Sequence, residues 1–160
     1  MIKNKVAVFV EGQGKLVFFR NMIFHLLSNV PFSFECIKLH SGKMHDVPFS
    51  YENPNAVVYF KIINVENDTK VLSAIKEREQ SLLQKGYSKI IGLRDMYSEA
   101  YKKRSKHDIS EDLNNQFIRN ADSTIREMSD PEKVSLYFSI MEIEAWWLLM
   151  YSIFEKIDKS

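Results

Sequence analysis

The stretch VAVFVEGQGK, residues 6–15, begins as a buried strand and closes on a carboxylate and a glycine. Val6 to Val10 are apolar without interruption, as in a strand covered on both faces of a parallel sheet. Glu11 and Gly12 end the run, with a second glycine and a lysine close behind. Open α/β sheets place their sites at the carboxyl ends of strands, so Glu11 is either site chemistry or the first polar residue of a turn. Leu16, Phe19, Ile23 and Leu26 recur at helical spacing within Lys15 to Ser28. Strand, glycine turn and helix form the first half of a βαβ unit.

Outward from this unit the same alternation returns. Phe32 to Leu39 reads as a second strand, and residues 40–55 collect Gly, Pro, Asn and Ser as a loop excursion. Ala56 to Ile63 reads as a further strand. Residues 67–86 make a helix that Asn67 or Asp68 caps and Gly86 ends, with Val71, Leu72, Ile75, Leu82 and Leu83 on one face. The strand within 87–95 again closes on an acid, Asp95. Residues 96–131 are polar and charged. They contain one helical segment with Phe117, Ile118, Ala121, Ile125 and Met128 on its apolar face, an insertion packed on the main sheet. Lys133 to Ile140 alternates as a strand buried on one face, and 141–157 reads as a terminal helix. The expected architecture is one α/β domain over 1–160, with three layers, a Rossmann-like order and a mainly parallel central sheet.

Composition restricts the function classes. The chain of 160 residues carries 22 basic and 21 acidic side chains, a formal net charge of +1, so affinity for a polyanion must come from local charge. The lone Cys36 excludes an intramolecular disulfide framework and suits a reducing cytoplasm, where its expected role is a small buried apolar group. The apolar run near the amino terminus is too short for a signal-peptide core. The segment 145–154, AWWLLMYSIF, has about half of the roughly twenty residues a membrane span requires, so no membrane is expected as a partner. Trp146 and Trp147 are consecutive, about 100° apart on a helix, and read as core and interface groups.

Strands thus end in acid at Glu11, at Asp95 and at the pair Glu142 and Glu144. In a parallel sheet all carboxyl ends share one edge, so these acids can converge. Two unit charges about 4 Å apart repel by roughly 4 kcal/mol at an effective dielectric near 20. Such a cluster needs protonation, a Lys or Arg, or a hard cation with oxygen ligands. Taken singly, each acid also suits a cap or turn, and Glu142 and Glu144 suit a helix start. EGQGKL lacks the spacing and the Ser or Thr of a P-loop, and GQGKLV lacks the third glycine of a dinucleotide fingerprint. His40 and His45 belong to no Cys or His pairing motif of zinc sites.

VAVFVEGQG resembles the first motif of Toprim domains, and IIGLRDMYS their second acidic motif. Asp-Met-Tyr at 95–97 together with IMEIEAWWLL at 140–149 is similar to an uncharacterised bacterial family of Toprim-like proteins. The resemblance implies a Toprim-like fold and a Mg²⁺- or Mn²⁺-dependent nuclease of the cytoplasm. Glu11, Asp95 and Lys15 would be catalytic, and Glu11, Asp95, Glu142 and Glu144 would hold the metal. It also implies a partner ATPase. The usual Asp-x-Asp is here Asp95-Met96-Tyr97, and a phenol coordinates a hard cation poorly, which leaves room for a one-metal site or a domain that binds without cutting. The basic run at 101–107 supplies Lys102, Lys103 and Arg104 as phosphate contacts, unless it is only a solvated loop. Lys15 and Arg94 adjoin the acids and are further candidates, Arg94 otherwise serving as a structural ion-pair partner.

Overall fold

The computed structural model describes residues 2–67, 69–105 and 109–139. The strands are β1 (Asn4–Glu11), β2 (Phe32–His40), β3 (Lys43–Asp46), β4 (Val58–Val65), β5 (Lys89–Asp95) and β6 (Val134–Ser139). The helices are α1 (Gly12–Leu26), α2 (Lys70–Gln84), α3 (Glu99–Ser105) and α4 (Glu111–Arg126). The six strands form a single sheet in the order β3-β2-β4-β1-β5-β6. Every pairing is parallel except that of β2 with β3. This is the α/β fold with a mainly parallel sheet and a Rossmann-like three-layer arrangement.

The layers follow from side-chain alternation along the central strands. Val8 and Val10 of β1 pack with Ile62, Cys36 and the α1 residues Leu16 and Ile23 on one face. Ala7 and Phe9 pack with Ile63, Val65, Val71, Ile75 and Ile125 on the other, so α2 and α4 cover that face. The unbroken apolar run that opens the chain is therefore what burial on both faces demands. Glu79 of α2, itself buried, accepts the Asp130 backbone N–H at 2.8 Å and ties α2 to the turn that leads into β6.

Gly12 adopts φ +74° at the junction of β1 and α1, and a Cβ there would meet nothing within 4 Å. The glycine is needed for backbone conformation, since the helix starts immediately after the strand and the reversal passes through the left-handed region. Gly12→Ala is expected to destabilise the fold by about 1–2 kcal/mol, read as a lower urea midpoint with an unchanged slope.

Several expectations are corrected. Residues 40–55 are not wholly a loop, because β3 returns antiparallel on β2 through a two-residue turn at Ser41 (φ 49°) and Gly42 (φ 78°). Two consecutive positive φ angles suit the twist of a tight hairpin, but β3 is exposed throughout and has no apolar alternation to announce it. The third parallel strand runs over 58–65 instead of 56–63. The described residues of 96–131 hold two α-helices instead of one, and α4 lies on the route from β5 to β6 as a crossover does. Leu26, the last residue of α1, is 67% exposed, and Ile118, on the flank of the Leu113, Ala121 and Ile125 stripe, is 39% exposed. The terminal helix expected over 141–157, with Glu142, Glu144, Trp146 and Trp147, lies outside the described residues. No helix among the described residues is long and apolar enough to cross a membrane.

Cys36 sits fully buried within β2, and burial pushes its thiol up to about 11, with Glu35 adding to the rise and Arg20 opposing it. The thiolate is the reactive form. At pH 8 the native chain is therefore expected to be inert to aromatic disulfide reagents, with one equivalent of thiol released on unfolding.

Candidate functional site

The parallel strands bring their carboxyl ends to one rim, and the order β4-β1-β5-β6 places Glu11 and Asp95 on adjacent strands. The chain leaves β1 into α1 on one face of the sheet. It leaves β5 toward α4 on the other. Adjacent strands with oppositely directed exits open a crevice at the rim, where ligands of such sheets bind.

Lys15 fills this crevice. It lies on the first turn of α1, four residues after Glu11, because the helix starts with no intervening loop. Its Nζ is 2.7 Å from Asp95 Oδ2 and 3.7 Å from Glu11 Oε2. The residue is 7% exposed, unusual for a lysine, and a charge this deep needs a partner. The second oxygen of Asp95 is also engaged, since the Ser139 hydroxyl donates to Oδ1 at 2.7 Å. Asp95 and Ser139 are register partners on β5 and β6, and the Met96 N–H donates to the Ser139 carbonyl at 2.8 Å. Both oxygens of Asp95 are thus held by donors on different elements, which fixes the carboxylate. The expected convergence of Glu11 and Asp95 holds, with Lys15 as the counter-ion between them.

Asn64 belongs to the same rim. It pairs in register with Val10, and Val10 packs on the α1 face, so the Asn64 side chain points to the side of the sheet where Lys15 and Asp95 meet. The residue is buried and its Oδ1 has no hydrogen-bond partner among the described residues. Ending the strand at Ile63 hides Asn64 in a sequence-based reading. Its only signal is an amide inside the apolar run IINV. Ser139 carries no motif, and only the register with Asp95 reveals it.

The remaining candidates are placed differently. Arg94, on β5 beside Asp95, stacks its guanidinium 5.6 Å from the Phe138 ring centroid. Tyr97 packs edge-on against Tyr101, with centroids 5.0 Å apart, in a cluster with Met96 and Leu113. Its hydroxyl is buried without a hydrogen-bond partner among the described residues, so its role there is packing. Lys102, Lys103 and Arg104 lie on α3, a few residues beyond Asp95. Arg104 is not free for a phosphate in this arrangement: it donates to Gln116 Oε1 at 2.7 Å and lies 5.5 Å over Phe117, bracing α3 on α4. Lys103 is exposed and Lys102 partly so. Glu142 and Glu144 fall outside the described residues.

Farther along the rim, His40 at the end of β2 bonds through Nδ1 to Glu66, just past β4. That hydrogen bond, with His40 and Lys70 charge, holds the Glu66 carboxyl below its ordinary range against the opposing effect of desolvation. Among the described residues no group of three or more His, Cys, Asp or Glu side chains is arranged to hold a metal ion.

Compared with protein-family models, with curated proteins and with solved structures, the chain matches none.

Proposed function

We propose that the protein is a Mg²⁺- or Mn²⁺-dependent phosphodiesterase of the Toprim-like class, acting on DNA or RNA. The observation that carries this reading is that Glu11 and Asp95, 84 residues apart in the chain, meet on one cation at the switch point of the sheet. Motif resemblance at Glu11 and at Asp95 adds the chemical class.

The residues present fit a hard divalent ion. Carboxylates from Glu11 and Asp95 and the Ser139 hydroxyl are oxygen donors. Mg²⁺ is commonly bound by only one or two carboxylates, with water and substrate phosphate completing the shell. Glu11 and Asp95 would hold the ion, and Glu142 and Glu144 remain candidates to join them. When bound, such an ion neutralises the carboxylates, polarises a phosphate oxygen and acidifies a water. The chain's own contributions are distinct. Ser139 orients Asp95, Lys15 keeps the two carboxylates together, and Lys102 and Lys103 offer positive charge to phosphates flanking the reacting one.

A second reading is favoured by one specific feature. Lys15 already offsets one of the two carboxylate charges, and Tyr97 replaces a second acid, as in a module that binds nucleic acid or a partner ATPase without cutting. Thermal denaturation with and without Mn²⁺, on the native chain and on Asp95→Ala, separates the two. Stabilisation by Mn²⁺ that is lost in the variant supports the metal-dependent reading. Identical curves for the native chain overturn it. Nicking of plasmid DNA or cleavage of RNA, absent in Glu11→Ala, then reports the activity itself.

A further inference from the structure

We infer that Lys15 is a displaceable counter-ion, seated on Asp95 and Glu11 when no divalent cation is bound and received by Asn64 Oδ1 when one enters. The inference rests on the metal-dependent reading and adds how the site is kept closed.

Among the described residues the crevice brings together two carboxylates and one ammonium group, a local charge of one negative unit. A divalent ion lying between the same oxygens would stand in van der Waals conflict and in charge repulsion with Nζ, which already occupies the hydrogen-bonding position on Asp95 Oδ2 at 2.7 Å. Lys15 and a cation therefore compete for one position. A lysine has the means to leave: its ammonium is a point charge on a flexible four-carbon stem. It cannot leave for nothing, because an unpaired buried charge is costly. The α1 side of the sheet supplies a destination in Asn64 Oδ1, a buried carbonyl oxygen that accepts no hydrogen bond while Lys15 sits on Asp95. Helix α1 packs against both β1 and β4, and Asn64 of β4 projects to that same face of the sheet, on which Lys15 of the first turn meets Asp95 of β5. A buried acceptor without a donor is a standing cost to the fold. A second position for Lys15 accounts for it.

The test is Mn²⁺ affinity, measured by titration calorimetry and by the loss of the free-ion electron paramagnetic resonance signal, on the full chain. Removing the competitor in Lys15→Met is expected to tighten Mn²⁺ binding by about tenfold or more. Asn64→Leu is expected to weaken it several-fold in the native background and to leave it unchanged in the Lys15→Met background, because the amide acts only through the lysine. Equal or weaker binding by Lys15→Met overturns the inference, as does an Asn64→Leu effect of the same size in both backgrounds. Absence of Mn²⁺ binding from the native chain and from Lys15→Met alike instead overturns the metal-dependent reading on which the inference stands. Should Lys15→Met fail to fold, Lys15→Gln removes the charge while keeping a donor to Asp95, and the same tightening is expected of it.

Discussion

Asp95→Ala is expected to lower the stability of the chain by about 3 kcal/mol, because it breaks a pair whose ammonium partner is buried. Lys15 would keep only Glu11, at 3.7 Å, and its side chain is 8% exposed, too deep for water to replace the lost carboxylate. The hydrogen bond from the Ser139 hydroxyl to Asp95 would be lost at the same time. Asp95→Asn retains an amide oxygen, and its expected cost is about 1–2 kcal/mol, that of weakening a charge-assisted hydrogen bond. Urea unfolding followed by circular dichroism measures both, and an Asp95→Ala loss below that of Asp95→Asn would contradict the pairing. The stability loss also governs how metal experiments are read, since the variant's own melting curve without metal is the reference for its response to Mn²⁺.

The legible part of this site was the convergence of the acids. Buried parallel strands must show continuous apolar runs, and a polar residue that ends such a run falls at the rim by geometry alone, so Glu11 and Asp95 could be placed before any coordinates. What neutralises them could not. Protonation, a basic side chain and a cation satisfy the same electrostatic requirement, and the choice of Lys15 depends on α1 starting at Gly12 with no spacer residue. Register was equally hidden. A shift of two residues in β4 moved Asn64 from outside the strand to the crevice. The hairpin of β2 and β3 escaped because its return strand is exposed on every residue and so carries no burial pattern. Helix stripes were read correctly where packing is deep, as at Val71 and Ile75, and failed at Leu26 and Ile118, where the helix surface turns away from the sheet.

Gly92→Val is expected to destabilise the fold by about 3 kcal/mol while leaving the counter-ion site assembled. Gly92 lies in the middle of β5, where its backbone pairs with Phe9 and Leu136. A Cβ there would stand 2.5 Å from Leu136 Cδ1, 2.8 Å from Ile75 Cδ1 and 3.2 Å from Val71 Cγ1. All three are side-chain ends, so an alanine can be accommodated by small shifts at about 1 kcal/mol. Valine adds two more methyl groups and so demands a larger displacement than the fully buried Ile75 and Val71 can absorb. The strain falls on the α2 face of the sheet. Asp95, three residues on and hence of opposite parity, meets Lys15 on the α1 face. On the metal-dependent reading, Gly92→Ala is accordingly expected to lose stability yet respond to Mn²⁺ with the same increment in melting temperature as the native chain, whereas Asp95→Asn, at a similar cost in stability, is expected to lose that response. A Gly92→Ala chain that lost the increment would show that the two faces of β5 are mechanically coupled at the rim, contrary to the layered packing described here.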